Sequence, residues 1–138
     1  MKNTYQNTLN LLGRFLIAAL FLPAGIAKLT GFAGTVGYIQ SVGLPAPLVA
    51  AVLALVIEIV GGVALLVGYQ TRIAAVVLAV FTFFASVFFH AYWAAPADQA
   101  FVAQLLFFKN IAVIGGLLVL ASSGAGKFSI DGLKAKQD

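Results

Sequence analysis

The sequence predicts an all-α membrane protein, a bundle of four transmembrane helices with a short interfacial helix in the first loop. Three observations carry this. Of 138 residues, 62% are apolar and 9% charged, against about 45–50% and 25% in soluble domains. Four stretches reach the roughly 20 apolar residues needed to cross about 30 Å of hydrocarbon at 1.5 Å per residue. Within them the apolar residues are consecutive, whereas barrel strands would alternate apolar with polar.

The first span covers residues 9–29 and is interrupted by Arg14. Lys2 and Arg14 ahead of small residues at 24–27 imitate a secretory signal, but three further spans follow and Lys28 continues the same helical face, so this segment reads as a span. The link 30–47 places Phe32, Val36, Ile39 and Gly43 at helical spacing before the break Leu44-Pro45-Ala46-Pro47. It reads as a short helix lying in the interface, with an irregular surface loop as the alternative. The second span, 48–67, is interrupted only by Glu58. A short turn at 68–72 makes it the antiparallel neighbour of the third span, 73–92, which carries Thr82, Ser86 and His90. Pro96 and Asp98 then end one helix and start another. The fourth span, 101–121, carries Gln104, Lys109 and Asn110. Together the spans nearly fill the chain, leaving no room within it for a soluble catalytic domain.

With no cysteine and one histidine, His90, the chain lacks the ligands for disulfides, thiolate zinc, iron–sulfur clusters and bis-histidine haem, so no metal site is expected. The +4 charge does not point to nucleic acid, because the basic residues sit between or inside apolar runs. It reads as a topology signal: Lys2, Arg14, Arg72, Lys127, Lys134 and Lys136 fall on one side, while Lys28, Lys109 and Asp98 fall toward the other. Both termini are therefore expected in the cytoplasm, the membrane in a bacterium being the inner one. Tyr92 and Trp93 would anchor the outer interface, Tyr5 and Tyr69 the inner.

An ionisable residue near the bilayer centre costs at least about 2.5–3.5 kcal/mol, so each should face the bundle and find a partner. Arg14, Ala18, Phe21, Gly25 and Lys28 form one stripe, and Ala54, Glu58, Gly61, Gly62 and Leu65 another. Thr82, Ser86 and His90 share a face on the third span, and Lys109, Ala112 and Gly116 on the fourth. The pairs Gly61-Gly62 and Gly115-Gly116 are expected to serve helix packing. Helical rise places Glu58 about 15 Å below the outer surface, at the midplane, with Lys109 and Arg14 within reach from opposite directions. The expectation is a central Glu58 paired with one or both. Such a pair can simply fix helix register. Three basic groups and a histidine around one acid nevertheless exceed what one lock requires, and the surplus suits an anionic or carbonyl-bearing ligand.

Arg14 through Lys28-Leu29, Gly31-Phe32-Ala33-Gly34-Thr35-Val36 with Tyr38, and Ser41-Val42-Gly43-Leu44-Pro45 resemble the opening of the DoxX family of small four-helix inner-membrane proteins. Later pieces resemble it too: Glu58 with Gly61-Gly62, Gly68 with Thr71-Arg72, His90 with Tyr92-Trp93, Phe108-Lys109-Asn110 with Gly115-Gly116, and Gly124-Ala125-Gly126 with Ser129-Ile130-Asp131. The resemblance implies a single domain over residues 1–138, with Arg14, Lys28, Glu58, His90 and Lys109 as the family's polar positions in this chain. It also implies a link to sulfur oxidation and quinone reduction or to oxidative-stress complexes. The thiosulfate-oxidising relatives work with further subunits or domains that this chain does not carry.

The function expected first is an integral component of a redox system that binds a quinone or similar lipid-soluble carrier. Glu58, His90 and Lys109 are the candidate catalytic residues; Arg14, Lys28 and Ser86 join them as ligand-binding candidates. Phe81, Phe83, Phe84, Phe88 and Phe107 would form apolar walls. No residue carries electrons unaided, so a redox partner protein is expected. The alternatives are a small-molecule carrier or channel, which four helices could form only as a homo-oligomer, and a non-catalytic assembly subunit.

Overall fold

The computed structural model describes residues 3–137; Lys2, counted above for orientation, lies outside them. The helices are α1 (Thr4–Thr30), α2 (Phe32–Ser41), α3 (Pro47–Val67), α4 (Thr71–Phe89), α5 (Ala100–Ser123) and α6 (Ile130–Lys134), with a 3-10 turn at Tyr92–Ala94. Helices α1, α3, α4 and α5 are each long and apolar enough to cross a membrane. Their outward faces carry bare hydrocarbon, Leu16, Val60 and Val119 among it, as lipid contact requires. The link between the first two spans does form a helix, α2, with Ile39 buried against the bundle.

Two boundaries differ from the sequence expectation for physical reasons. Helix α1 begins five residues early because Asn3 and Gln6 form a reciprocal capping box, which extends the helix past the apolar run into polar sequence. Helix α4 stops at Phe89. His90 leaves helical geometry at φ −127°, and the chain turns so that Tyr92 and Trp93 pack edge-on against Phe107 of α5, 5.4 and 5.6 Å between centroids.

Packing is most extensive between α1 and α3 and between α4 and α5, and the two pairs join along α3 and α4. Phe21, Leu65, Leu78, Leu117 and Leu120 form the core. The inward stripes expected on α1, α3 and α4 are buried, apart from Lys28 and His90 at the helix ends, which are partly exposed. Glycines permit the close approach: a Cβ at Gly25 would lie 2.6 Å from Ile59 Cγ1, and one at Gly61 2.9 Å from Leu78 Cγ.

Helix α5 corrects the expectation. Its buried residues are Asn110, Leu117 and Leu120, while Lys109, Ala112 and Gly116 fall on exposed positions. A Cβ at Gly115 would meet nothing within 4 Å, and one at Gly116 only Ile17 Cδ1 at 3.8 Å. Helix α5 packs chiefly on α4, with Leu117 and Leu120 in the shared core, while Ala112, Gly115 and Gly116 are exposed along with Phe108, Leu118 and Val119.

The end that carries both termini is sealed by polar contacts. Arg14, 1% exposed, donates from Nη1 to the carbonyls of Leu65 and Leu66 at 2.9 and 3.1 Å, from Nε to Asn10 Oδ1, and from Nη2 to the carbonyl of Phe128. Those Leu carbonyls are the orphan acceptors of the α3 C-terminus, where the helix dipole favours a cation. Arg72 does the same for α5, donating to Ala121 and Ser122 at 2.7 and 2.6 Å. From the tail, Asp131 accepts the Gln70 and Thr71 amides at 2.8 and 2.9 Å and so caps α4 from sixty residues away. Partial burial works against ionisation of Asp131, yet these amide donors outweigh it and hold the carboxyl below the usual carboxylate range.

The contrast between glycines is testable by melting in detergent. Gly25→Leu should destabilise by about 1–3 kcal/mol through overpacking, whereas Gly115→Leu should leave the midpoint nearly unchanged. Equal effects would mean that the α1–α3 approach is not close.

Candidate functional site

Four of the six candidate residues, Lys28, Glu58, His90 and Lys109, line one cavity of about 580 Å³ in the half of the bundle away from the termini. Its position follows from the packing. At Gly25 the α1 backbone lies against α3, with a Cβ there only 3.1 Å from Glu58 Cβ. One turn further along the same face comes Lys28, whose Nζ reaches back into the bundle. It donates to Glu58 Oε1 at 3.1 Å and stands 2.9 Å from Oε2.

Glu58 is therefore paired with Lys28, and the expected pairing with Lys109 or Arg14 is corrected. Arg14 lies level with Leu65 and Leu66, seven to eight residues from Glu58 on α3, or about 11 Å along the helix. Its donors are held by backbone carbonyls, which places it in the terminal seal rather than in the cavity. Lys109 sits on α5 and makes no ion pair with Glu58. The antiparallel course of α1 and α3 was the signal for Lys28, since it sets the end of α1 beside the first half of α3.

Glu58 is 6% exposed. Both its oxygens lie against the Lys28 ammonium, Oε1 in a hydrogen bond and Oε2 in the ion pair. The carboxylate is thus buried with its charge balanced by Lys28.

Ser86 lies off the cavity. Its hydroxyl, fully buried, donates to the Thr82 carbonyl at 2.7 Å, as Thr82 does to Leu78 at 2.6 Å. Both sit on the expected face of α4, but only Thr82 lines the cavity. His90 closes α4 at the rim, with Lys109 as its charged neighbour. Of the expected phenylalanine walls, Phe81, Phe84 and Phe88 line the cavity. Phe83 turns outward and Phe107 joins the Tyr92–Trp93 cluster.

Tyr38, Thr35 and Asn110, which were not among the site candidates from the sequence, also line the cavity. Tyr38 and Thr35 come from α2, which roofs the space, the Tyr38 ring lying 5.2 Å from that of Phe89. The signal for Asn110 was its place beside Lys109 in an apolar helix, where a carboxamide is nearly as demanding as a charge.

Breaking the Lys28–Glu58 pair should cost more than removing it. Glu58→Gln alone strands a partly buried ammonium and should lower stability by about 3 kcal/mol, while Lys28→Met with Glu58→Met should recover most of that loss. Additive losses in detergent melting would show that the two residues do not depend on each other.

The DoxX family profile matches residues 9–91, from α1 through α4. The chain is 39% identical over 127 residues to inner membrane protein YqjF of Escherichia coli (strain K12), covering 92% of each. To inner membrane protein YphA of the same organism it is 35% identical over 121 residues, covering 88% of this chain and 86% of that protein. No solved structure matches the chain. With the profile spanning more than half of its length and two relatives matching almost end to end, this four-helix chain belongs to the DoxX family.

Proposed function

We propose that the protein is a multi-pass inner-membrane component of a redox system that binds a quinone-like carrier in the cavity between α1, α3, α4 and α5. One observation carries the reading: in the far half of the bundle a mostly apolar cavity gathers a paired carboxylate and several hydrogen-bond donors, whereas toward the other half Leu65, Leu78 and Leu117 fill the core between the helices. The cavity's about 580 Å³ falls within the range of small-molecule sites. Its phenylalanines suit a planar ring and apolar tail. Its donors, His90, Lys109 and Asn110, suit carbonyl oxygens. A quinone, when bound, supplies the capacity to carry electrons together with protons. This chain's own residues bind and orient it: Lys28 balances the charge of Glu58, and both border the cavity. Electrons come from a partner.

A register lock would explain Lys28 and Glu58 but leaves Lys109 and Asn110 without a purpose. A carrier would need a route through the terminal half, where Leu65, Leu78 and Leu117 are fully buried and Arg14 bridges α1, α3 and the tail.

The inner-membrane location rests on the names of the two relatives. The cytoplasmic placement of both termini rests on Arg14, Arg72, Lys127, Lys134 and Lys136 at the terminal end. A C-terminal green-fluorescent-protein fusion should fluoresce and an alkaline-phosphatase fusion should be inactive; the reverse pattern inverts the topology.

Ligand binding is measurable through Trp93, the single tryptophan. Decyl-ubiquinone should quench its emission in detergent saturably, at about micromolar concentration, and the charge-free Lys28→Met/Glu58→Met variant should bind about tenfold more weakly while remaining folded. Absence of saturable quenching in the unmodified protein would rule the reading out.

A further inference from the structure

Four basic side chains lie within the four long apolar helices, and three of them have oxygen partners. Arg14 and Arg72 hold the C-terminal carbonyls of α3 and α5, and Lys28 holds Glu58. The fourth, Lys109, is about 14 Å from the start of α5 by helical rise. Among the described residues it forms neither an ion pair nor a side-chain hydrogen bond. The adjoining Asn110 is 8% exposed, and its carboxamide likewise has no protein partner. Both line the cavity.

The charge balance of the cavity is therefore lopsided. Lys28 and Glu58 cancel, His90 brings no negative charge, and Asp98, the remaining carboxylate at this end, neither lines the cavity nor pairs with Lys109. One ammonium is left over where hydrocarbon surrounds the protein. A neutral carbonyl would satisfy the Asn110 amide but would not neutralise Lys109; an ionised oxygen acid does both.

We infer that the ligand of this cavity is an amphiphile whose head group is an ionised oxygen acid, with Lys109 as its counter-ion, Asn110 donating to it, and its apolar stem among Phe81, Phe84 and Phe88. The inference rests on the cavity being a ligand site, as proposed above, and narrows the ligand class from carbonyl-bearing to acidic. Such a head group occurs on an acidic hydroxyquinone and on a fatty carboxylate alike.

Calorimetric titration in an uncharged detergent separates these cases with two matched pairs of probes. One is a 2-hydroxy-3-alkyl-1,4-naphthoquinone, above the pH at which its hydroxyl ionises, against the same ring without the hydroxyl. The other is dodecanoate against dodecanol. In each pair that binds, the ionised member should bind about ten- to a hundredfold more tightly. Lys109→Arg should keep that preference, Lys109→Met should abolish it, and Asn110→Leu should reduce it.

Equal affinity for ionised and neutral partners overturns the inference while leaving the quinone reading intact if the neutral naphthoquinone still binds. A preference that survives in Lys109→Met also overturns it. Dodecanoate binding that depends on Lys109, with neither naphthoquinone bound, upholds the inference and overturns the quinone reading. Failure of all four probes overturns both. The comparison in the unmodified protein stands whether or not Lys109→Met folds.

Discussion

Hydrocarbon offers no hydrogen-bond partner, so every polar group inside these four helices has to be satisfied by the protein itself or by something the protein holds. That requirement organises the bundle. The hydroxyls of Thr82 and Ser86 return to their own helix, the guanidinium of Arg14 closes the end of α3, and Lys28 folds back to Glu58. The Arg14 and Lys28 contacts also tie α1 to α3, so there polar satisfaction and tertiary assembly are the same contacts.

The two halves meet the requirement differently. At the terminal end, Arg14, Arg72 and Asp131 pair with backbone groups that helix ends leave open, and the tail from Gly124 to Lys134 lies across them like a strap. In the far half the helices part around a cavity roofed by α2, and the polar groups outnumber their protein partners. A leucine core toward one end with a cavity toward the other fits the proposed binding role better than a conduit.

Much of this was legible in the chain. The apolar runs set the spans, and the spacing of Glu58 with Gly61, Gly62 and Leu65, or of Thr82 with Ser86, identified inward faces that are buried. These features depend on helical periodicity alone, which is local. The same reasoning erred on α5. Ala112 and Gly116 were expected inward because small residues mark interfaces, yet α5 packs chiefly on α4 and buries Asn110, Leu117 and Leu120, while Lys109 lines the cavity. Nothing local distinguishes the two faces of so uniformly apolar a helix.

The amino-acid order alone determined that the chain crosses a membrane four times, where its helices begin and end to within a few residues, and which side chains bear a charge that lipid rejects, because transfer free energy and helical rise are properties of short segments. Which charge meets which was decided only in three dimensions. Lys28 rather than Arg14 reaches Glu58 because Gly25 lets α1 descend on α3 at that level, and Lys109 stays unpaired because α5 lies against α4. Partner choice depends on the relative height and rotation of separate helices, and these are fixed by packing between residues far apart in the chain.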